Sequence, residues 1–297
     1  MNIVVLSTCT SPSAYLINAV AARHPIRHVF RVTWDEQPHR ESRLAKFARA
    51  PIGSVVRTVR RKYFERVHNR TEALAASFLP ELTPAGNLPP VTPIDRLQVN
   101  SARFAEELRA LEPDVLLVTA GPILKPRIFE IPKLATINVH RGIAPAYRGE
   151  RTLFWALYNN DLANLGVTLH RINRGIDTGP VLKYGYPALS AQDTEASITA
   201  KAMQLAAEMV GDALDEAAAS GLEGATQPSA GRCYYSRDQR IWKEARFQIL
   251  RLLGRQRIEP REQRIVTLAS SRESSRQSRG RRTKRVAPPV QHAITGA

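Results

Sequence analysis

The stretch "NIVVLSTCTSPSAYLINAVAARHPIRHVFRVTW" (2–34) decides the fold class. Its first six residues, NIVVLS, are short, apolar and β-branched, the composition of a parallel strand buried on both faces. Ser11 and Pro12 stand where a helix starts, and Leu16, Val20 and Ala21 follow at helical spacing. IRHVFRVTW (26–34) then reads as a second strand. Two parallel strands need a crossover between them, and the helix supplies it, so this opening is a βαβ unit.

The same rhythm continues outward. SARFAEELRALEP (101–113) reads as an amphipathic helix, DVLLVTAG (114–121) as a buried strand and KLATINVH (133–140) as another. RTLFWALYNND (151–161) is helical, while GVTLHRI (166–172) and GPVLKYGYPAL (179–189) alternate as antiparallel strands do. TEASITAKAMQLAAEMVGDALDEAAASG (194–221) is a long Ala-rich amphipathic helix ended by Gly221. The expectation is an α/β fold, Rossmann-like, with a mostly parallel sheet flanked by helices.

Three segments depart from this rhythm. Residues 35–75 contain two basic helical stretches separated by Pro51 and Gly53; Val55, Val56, Val59, Tyr63 and Val67 form an apolar stripe on the second. LPELTPAGNLPPVTP (79–93) carries five prolines and reads as extended connector. SRDQRIWKEARFQILRLLGR (236–255) reads as a basic helix with Ser236 at its N-cap and Gln239 three residues on, and the Arg-, Ser- and Gln-rich residues beyond it read as disordered. The expected division is a catalytic body over 1–232 with a basic insertion at 36–72, a basic helix within 233–255, and a disordered Arg-rich tail over 256–297.

A chain of 297 residues that is 43% hydrophobic can bury a sizeable core. It contains no apolar run long enough to span a bilayer, and its N-terminus lacks the cationic start and continuous apolar stretch of a signal peptide, so a cytoplasmic protein without a transmembrane segment is expected. Cys9 and Cys233 offer neither a disulfide framework nor metal-ligand spacing, and no metal is expected. The net charge of +16 is unevenly spread: residues 237–297 hold 16 Lys+Arg against 5 Asp+Glu, and residues 40–72 hold 10 against 3. The remaining body is near neutral. The tail suits contacts to nucleic-acid phosphates, but no aromatic residues alternate with its arginines to stack bases, so a specific nucleic-acid partner is not expected. The insertion suits three readings: a cationic lid over a phosphorylated acceptor, an interfacial helix near anionic lipid, or a solvated basic segment.

Ligands of open α/β sheets bind beyond the carboxyl ends of the strands. Asn138 and His140 lie at such an end, and period-two alternation puts both side chains on one face. Downstream, NRGIDTGPVL (173–182) sets Asp177 in a turn between two strands, with Gly175 and Gly179 permitting a tight backbone path. An amide can donate to a carbonyl oxygen that is becoming an oxyanion. An imidazole can add to that stabilisation or shuttle a proton, and a carboxylate can orient the imidazole or assist proton removal. These residue types suit direct acyl transfer to an amine.

LEPDVLLVTAGPILKPRIFEIPKLATINVHRGIAPAYRGERTLFWAL (111–157), followed by GVTLHRINRGIDTGPVL (166–182), strongly resembles the folate-dependent formyltransferases, the family of glycinamide ribonucleotide, methionyl-tRNA and amino-sugar N-formyltransferases. The resemblance implies that Asn138, His140 and Asp177 are the catalytic trio and that 10-formyltetrahydrofolate is the formyl donor. It places the pterin in a cleft lined by Thr119, Ala120, Gly121, Pro122, Ile123 and Leu124 and by the loop of Asn173, Gly175 and Ile176. It also implies that Pro145, Tyr147 and Arg148 belong to a loop shaping the folate and acceptor cleft.

Departures from the relatives bear on the acceptor. STCTSPSA follows the first strand where purine-pathway members carry a Gly-rich phosphate loop, and residues 237–297 show no succession of strands like the tRNA-binding barrel of methionyl-tRNA members. Members that transfer the formyl group to water carry an extra N-terminal domain, whereas this sequence opens on its first strand. The expected partner is therefore a small-molecule amine, an amino-sugar nucleotide, with methionyl-tRNA or glycinamide ribonucleotide as alternatives. A different class of reading is a non-catalytic scaffold that binds RNA or membrane through its basic segments. His170 is expected to be an ordinary sheet residue, Trp155 a core residue and Cys9 a buried small residue.

Overall fold

A computed structural model of the chain describes residues 1–34, 51–81, 89–228 and 231–268. The first basic stretch of the insertion and residues 269–297 of the tail therefore lie outside the described residues.

Among the described residues the central sheet has eight strands: β1 (Ile3–Ser7), β2 (Ile26–Thr33), β3 (Val91–Asp95), β4 (Val115–Thr119), β5 (Ala135–His140), β7 (Val167–Arg171), β8 (Val181–Tyr186) and β10 (Arg264–Thr267), in the order β10-β8-β7-β5-β4-β1-β2-β3. The five strands from β3 to β5 are parallel to one another, and β7, β8 and β10 continue the sheet in antiparallel pairs. Two further strands, β6 (Tyr147–Gly149) and β9 (Arg232–Tyr234), pair parallel to each other outside it.

The helices are α1 (Ser11–Arg23), α2 (Pro51–Ala76), α3 (Ala102–Ala110), α4 (Pro126–Phe129), α5 (Thr152–Tyr158), α6 (Glu195–Ser220) and α7 (Ile241–Leu252). Alternation sorts the strand residues between two cores. Ile3 and Val5 of β1, Val115 and Leu117 of β4, and Ile137 and Val139 of β5 pack with Leu16 and Val20 of α1 and Met203 and Met209 of α6. Val4, Leu6, Leu116 and Val118 pack on the opposite face with Phe104 and Leu108 of α3. β1 and β4 are thus buried on both sides, as their continuous apolar runs require. On β5 the second face carries Thr136, Asn138 and His140 in place of apolar residues, so the α3 core ends where the polar site begins.

Several expectations need correcting. The proline-rich connector ends in a strand: Val91–Asp95 pairs with β2, and Pro93 is tolerated because β3 is an edge strand. The second basic stretch is one helix running from Pro51 through Gly53 to Ala76. Its three leading valines, Val55, Val56 and Val59, are exposed, while Glu72 and Ala75 are buried farther along. Ser236 does not cap α7: it opens a single 3-10 turn, in which the Tyr235 N–H donates to Asp238 Oδ2 (2.8 Å), and Arg240 occupies the cap position. The division at 232/233 cuts through β9, so it is no boundary. The start of the tail is likewise placed too early, because residues 264–267 pair with β8 and the Leu189–Arg261 bridge precedes them.

Candidate active site

Three pieces of chain meet beyond the carboxyl end of β5: the strand end itself, the loop running through β6, and the turn between β7 and β8. β5 and β7 are antiparallel, and Asn138 lies opposite His170 in their register. The Asn138 Nδ2 and the His170 Nε2 are 3.1 Å apart. His170 Nδ1 donates to the Arg171 carbonyl (2.8 Å), and its Nε2 faces the Asn138 amide.

His140 is fully enclosed. Its Nε2–H donates to the Tyr147 carbonyl (2.8 Å), and its Nδ1 faces Asp177 Oδ2 at 3.3 Å. Nδ1 is therefore the nitrogen at which this ring gains or loses a proton. Burial lowers the proton affinity of the imidazole, and the Asp177 carboxylate partly offsets this. Asp177 is subject to the reverse balance. Burial by itself raises its carboxyl, but His140, His170 and the Gly149 N–H together hold it well below the usual carboxylate range. The Gly149 N–H donates to Oδ2 at 2.8 Å, and His170 Nε2 lies 3.5 Å from Oδ1. The geometry joins Asn138, His140 and Asp177 and adds His170 as a fourth member.

The turn that presents Asp177 is tight. A Cβ on Gly179 would stand 1.8 Å from the Arg171 carbonyl oxygen, so the backbone approach there requires glycine. Asp177 itself adopts φ +50°, a left-handed conformation that aspartate tolerates better than most residues. Gln227 holds the turn from outside, donating to the carbonyls of Asp177 (3.1 Å) and Gly179 (2.6 Å).

The residues expected to line the folate cleft divide. Ala120, Gly121 and Ile123 are exposed just beyond β4, Pro122 is half-buried, and Thr119 is buried with its hydroxyl 3.5 Å from that of Ser13. Leu124 is buried in the α3 core. Asn173 is engaged within its own turn, where Oδ1 accepts from the Gly175 N–H (3.0 Å) and the Thr178 hydroxyl (2.8 Å). Gly175 is exposed and Ile176 half-buried.

In the loop after β5, Pro145 follows a cis peptide bond. Tyr147 turns away from the site: its ring stacks on Tyr234 (5.6 Å, 6°), which stacks in turn on Trp155 (4.9 Å, 16°). The Tyr147 hydroxyl donates to Asp161 (3.0 Å), and its pKa is pushed up to about 12, chiefly by burial. The contribution of Tyr147 to the site is thus its carbonyl, which fixes His140. Arg148 donates to the Gly231 carbonyl (3.3 Å). The loop is thereby fastened to β9, which explains why residues near 232 cannot be a linker. Trp155 is a core residue, as expected, and Cys9 is half-buried.

Sequence reasoning missed His170, the Gly149 N–H and an ion pair beside His140. Arg141, next to His140, forms an ion pair with buried Glu72 of α2. The only local signal for His170 is its alternation along GVTLHRI; placing it opposite Asn138 takes the strand register.

A model of the formyl transferase family matches residues 1–214. The methionyl-tRNA formyltransferase of Myxococcus xanthus is 33% identical over 181 residues, covering 61% of this chain and 56% of that protein. The methionyl-tRNA formyltransferase of Pseudomonas fluorescens is 32% identical over 171 residues, covering 57% and 52%. The chain spans about half the length of the curated relatives it matches. Among solved structures, a 4-N formyltransferase from Francisella tularensis superposes with a TM-score of 0.50 at 14% identity over 78% of this chain and 75% of that one, a likeness of fold.

Proposed function

This chain belongs to the formyl transferase family, and on that premise we propose that it transfers a formyl group from 10-formyltetrahydrofolate to the amine of a small molecule, an amino-sugar nucleotide. The observation that carries the proposal is the convergence of Asn138, His140 and Asp177, with His140 Nδ1 directed at the carboxylate. The neutral amine of the acceptor attacks the formyl carbon, and the carbonyl π electrons move to oxygen. The Asn138 amide donates an N–H to that oxyanion. The proton released by the attacking nitrogen is taken at His140 Nδ1, where Asp177 stabilises the imidazolium. Collapse of the tetrahedral centre expels N10 of the folate, which receives that proton. Ala120, Gly121 and Ile123 would hold the pterin.

A small acceptor is favoured by the fold of the C-terminal part. Among the described residues, 231–268 form a strand, a helix and an edge strand that all pack onto the catalytic body itself. A second reading, transfer to methionyl-tRNA, is supported by the names of the curated relatives.

Both readings are tested by formation of tetrahydrofolate from 10-formyltetrahydrofolate with nucleotide-linked amino sugars, glycinamide ribonucleotide and methionyl-tRNA offered separately. Turnover with an amino sugar, reduced about 10²–10³-fold in Asn138→Ala and about 10²–10⁴-fold in Asp177→Asn, is the expected result. Turnover confined to methionyl-tRNA would select the second reading. Donor-dependent turnover that survives Asp177→Asn would remove the assigned role of the carboxylate.

A further inference from the structure

Helix α7 is apolar on two opposite sides. Its inner side buries Phe247 against Phe154 (5.2 Å between ring centroids) and Glu244 against Arg151. Its outer side carries Ile241, Trp242, Ala245, Ile249, Leu252 and, at its C-cap, Leu253, all exposed; Trp242 is 61%, Leu252 87% and Leu253 64% accessible. At 100° per residue these six positions form one continuous stripe about 120° wide. A surface helix needs one apolar face to join its domain, and the second face has no such use within the described residues. Exposed apolar area of this kind marks an interaction surface.

The rim of the stripe identifies the partner. Arg246 borders the stripe, Arg240 precedes the helix and Arg255 and Arg257 follow it, all exposed. The one acidic residue between Gln239 and Ile258 is Glu244, which is buried and bonded to Arg151. Every exposed charge of the segment is therefore positive. A second copy of the chain applied to this face about a two-fold axis would set arginines against arginines. A nucleic acid would satisfy the arginines but leave four leucine and isoleucine side chains without a partner, because it stacks on aromatic rings and Trp242 is the single one in the stripe. An anionic bilayer satisfies both: acyl chains for the stripe, phosphates for the rim, and an interfacial position for Trp242.

We propose that the outer face of α7 docks this protein on an anionic lipid surface. The helix lies immediately behind the candidate active site, because Glu244 bonds Arg151, two residues beyond β6, and Ser236 donates to Glu150 (2.6 Å) in the same loop. Docking there holds the catalytic loop close to the membrane.

The test is co-sedimentation of the full chain with phosphatidylcholine vesicles, with and without phosphatidylglycerol, at low and high salt. The wild-type chain should bind the phosphatidylglycerol vesicles, retain part of that binding at high salt, and show Trp242 fluorescence quenched by brominated lipid, with Trp242→Phe as the control. A variant with Trp242, Leu252 and Leu253 all changed to Ser should lose binding by about tenfold or more. Its melting temperature and formyl transfer should stay unchanged, since these side chains touch neither the core nor the trio. Binding that is undiminished in the serine variant, or wholly reversed by salt, would mean that other basic segments act by charge alone, and would overturn the proposal. So would a wild-type dimer that the serine variant dissociates, or retention by RNA without any binding to vesicles.

Discussion

His140 is held at both ring nitrogens, so its chemistry is confined to one of them. Nε2–H is committed to the Tyr147 carbonyl, and any proton exchanged must sit on Nδ1 beside Asp177. Because burial lowers the proton affinity of this ring in the folded state, the unfolded chain binds the proton first as the pH falls. The contribution of His140 to stability is present above the ordinary histidine pKa of about 6.5 and is lost as the pH drops through its lower folded value. The melting temperature should therefore rise with pH from about 5 to 7, and the rise should be shallower in His140→Asn. His28 and His68 shift in the same direction through burial, so the difference between wild type and His140→Asn isolates this ring. Asp177 acts in a separate window, since its folded carboxyl titrates well below the usual range and its contribution is lost only in stronger acid. The pairing of Asn and His at spacing two, and the acid in its Gly-flanked turn, were legible in the residues; the tautomer was not, because it is set by a carbonyl seven residues away.

Among the secondary-structure elements, Arg151 is the principal tie. It follows β6 at φ +51°, is nearly fully buried, and donates to Glu195 at the start of α6 (3.2 Å) and to Glu244 of α7 (3.1 Å). Its guanidinium also lies over the Phe154 ring (4.3 Å). Burial raises the Glu195 carboxyl, Arg151 opposes that rise, and Glu244 adds to it. Arg151→Met would leave two neighbouring buried carboxylates without a cation, at a cost of about 3–5 kcal/mol near neutral pH. With the cation gone, the folded state would bind protons more tightly than the unfolded chain, so the deficit should shrink as the pH falls. Denaturant titrations at neutral and mildly acidic pH measure both effects. The helices around this residue were readable from periodicity. The alternative cap at Ser236 misled because a Ser three residues before a Gln resembles a capping pair whether or not a helix follows.

At the scale of the whole molecule, the sheet is closed on one side by a strand taken from the far end of the chain. β10 pairs with β8, Thr267 accepts from Lys183 Nζ (3.1 Å), and Arg261 donates to the Pro187 carbonyl (3.0 Å). Lys183 is buried and also bonds Glu216 (2.8 Å). A chain ending after Ile258 would bare the edge of β8 and strip Lys183 of one partner. Its melting temperature should fall by about 5–10 °C, and it should associate through the exposed edge, which light scattering would detect. These residues read as tail because the segment is rich in Arg and Gln, and an edge strand half in solvent needs few apolar side chains.

Taken alone, the sequence determined what depends on near neighbours: the βαβ opening, the strands buried on both faces, and the shared face of Asn138 and His140. These follow from the periods of helix and strand, which the order of residues dictates directly. The tertiary structure decided the rest. It set His170 opposite Asn138, aimed the Gly149 N–H at Asp177, fastened the loop after β5 to β9, and brought Glu72 of α2 to Arg141. Each of these joins segments far apart in the chain through strand register or helix packing, and register depends on which faces meet the core and on the turns between strands, so no one segment read alone specifies it.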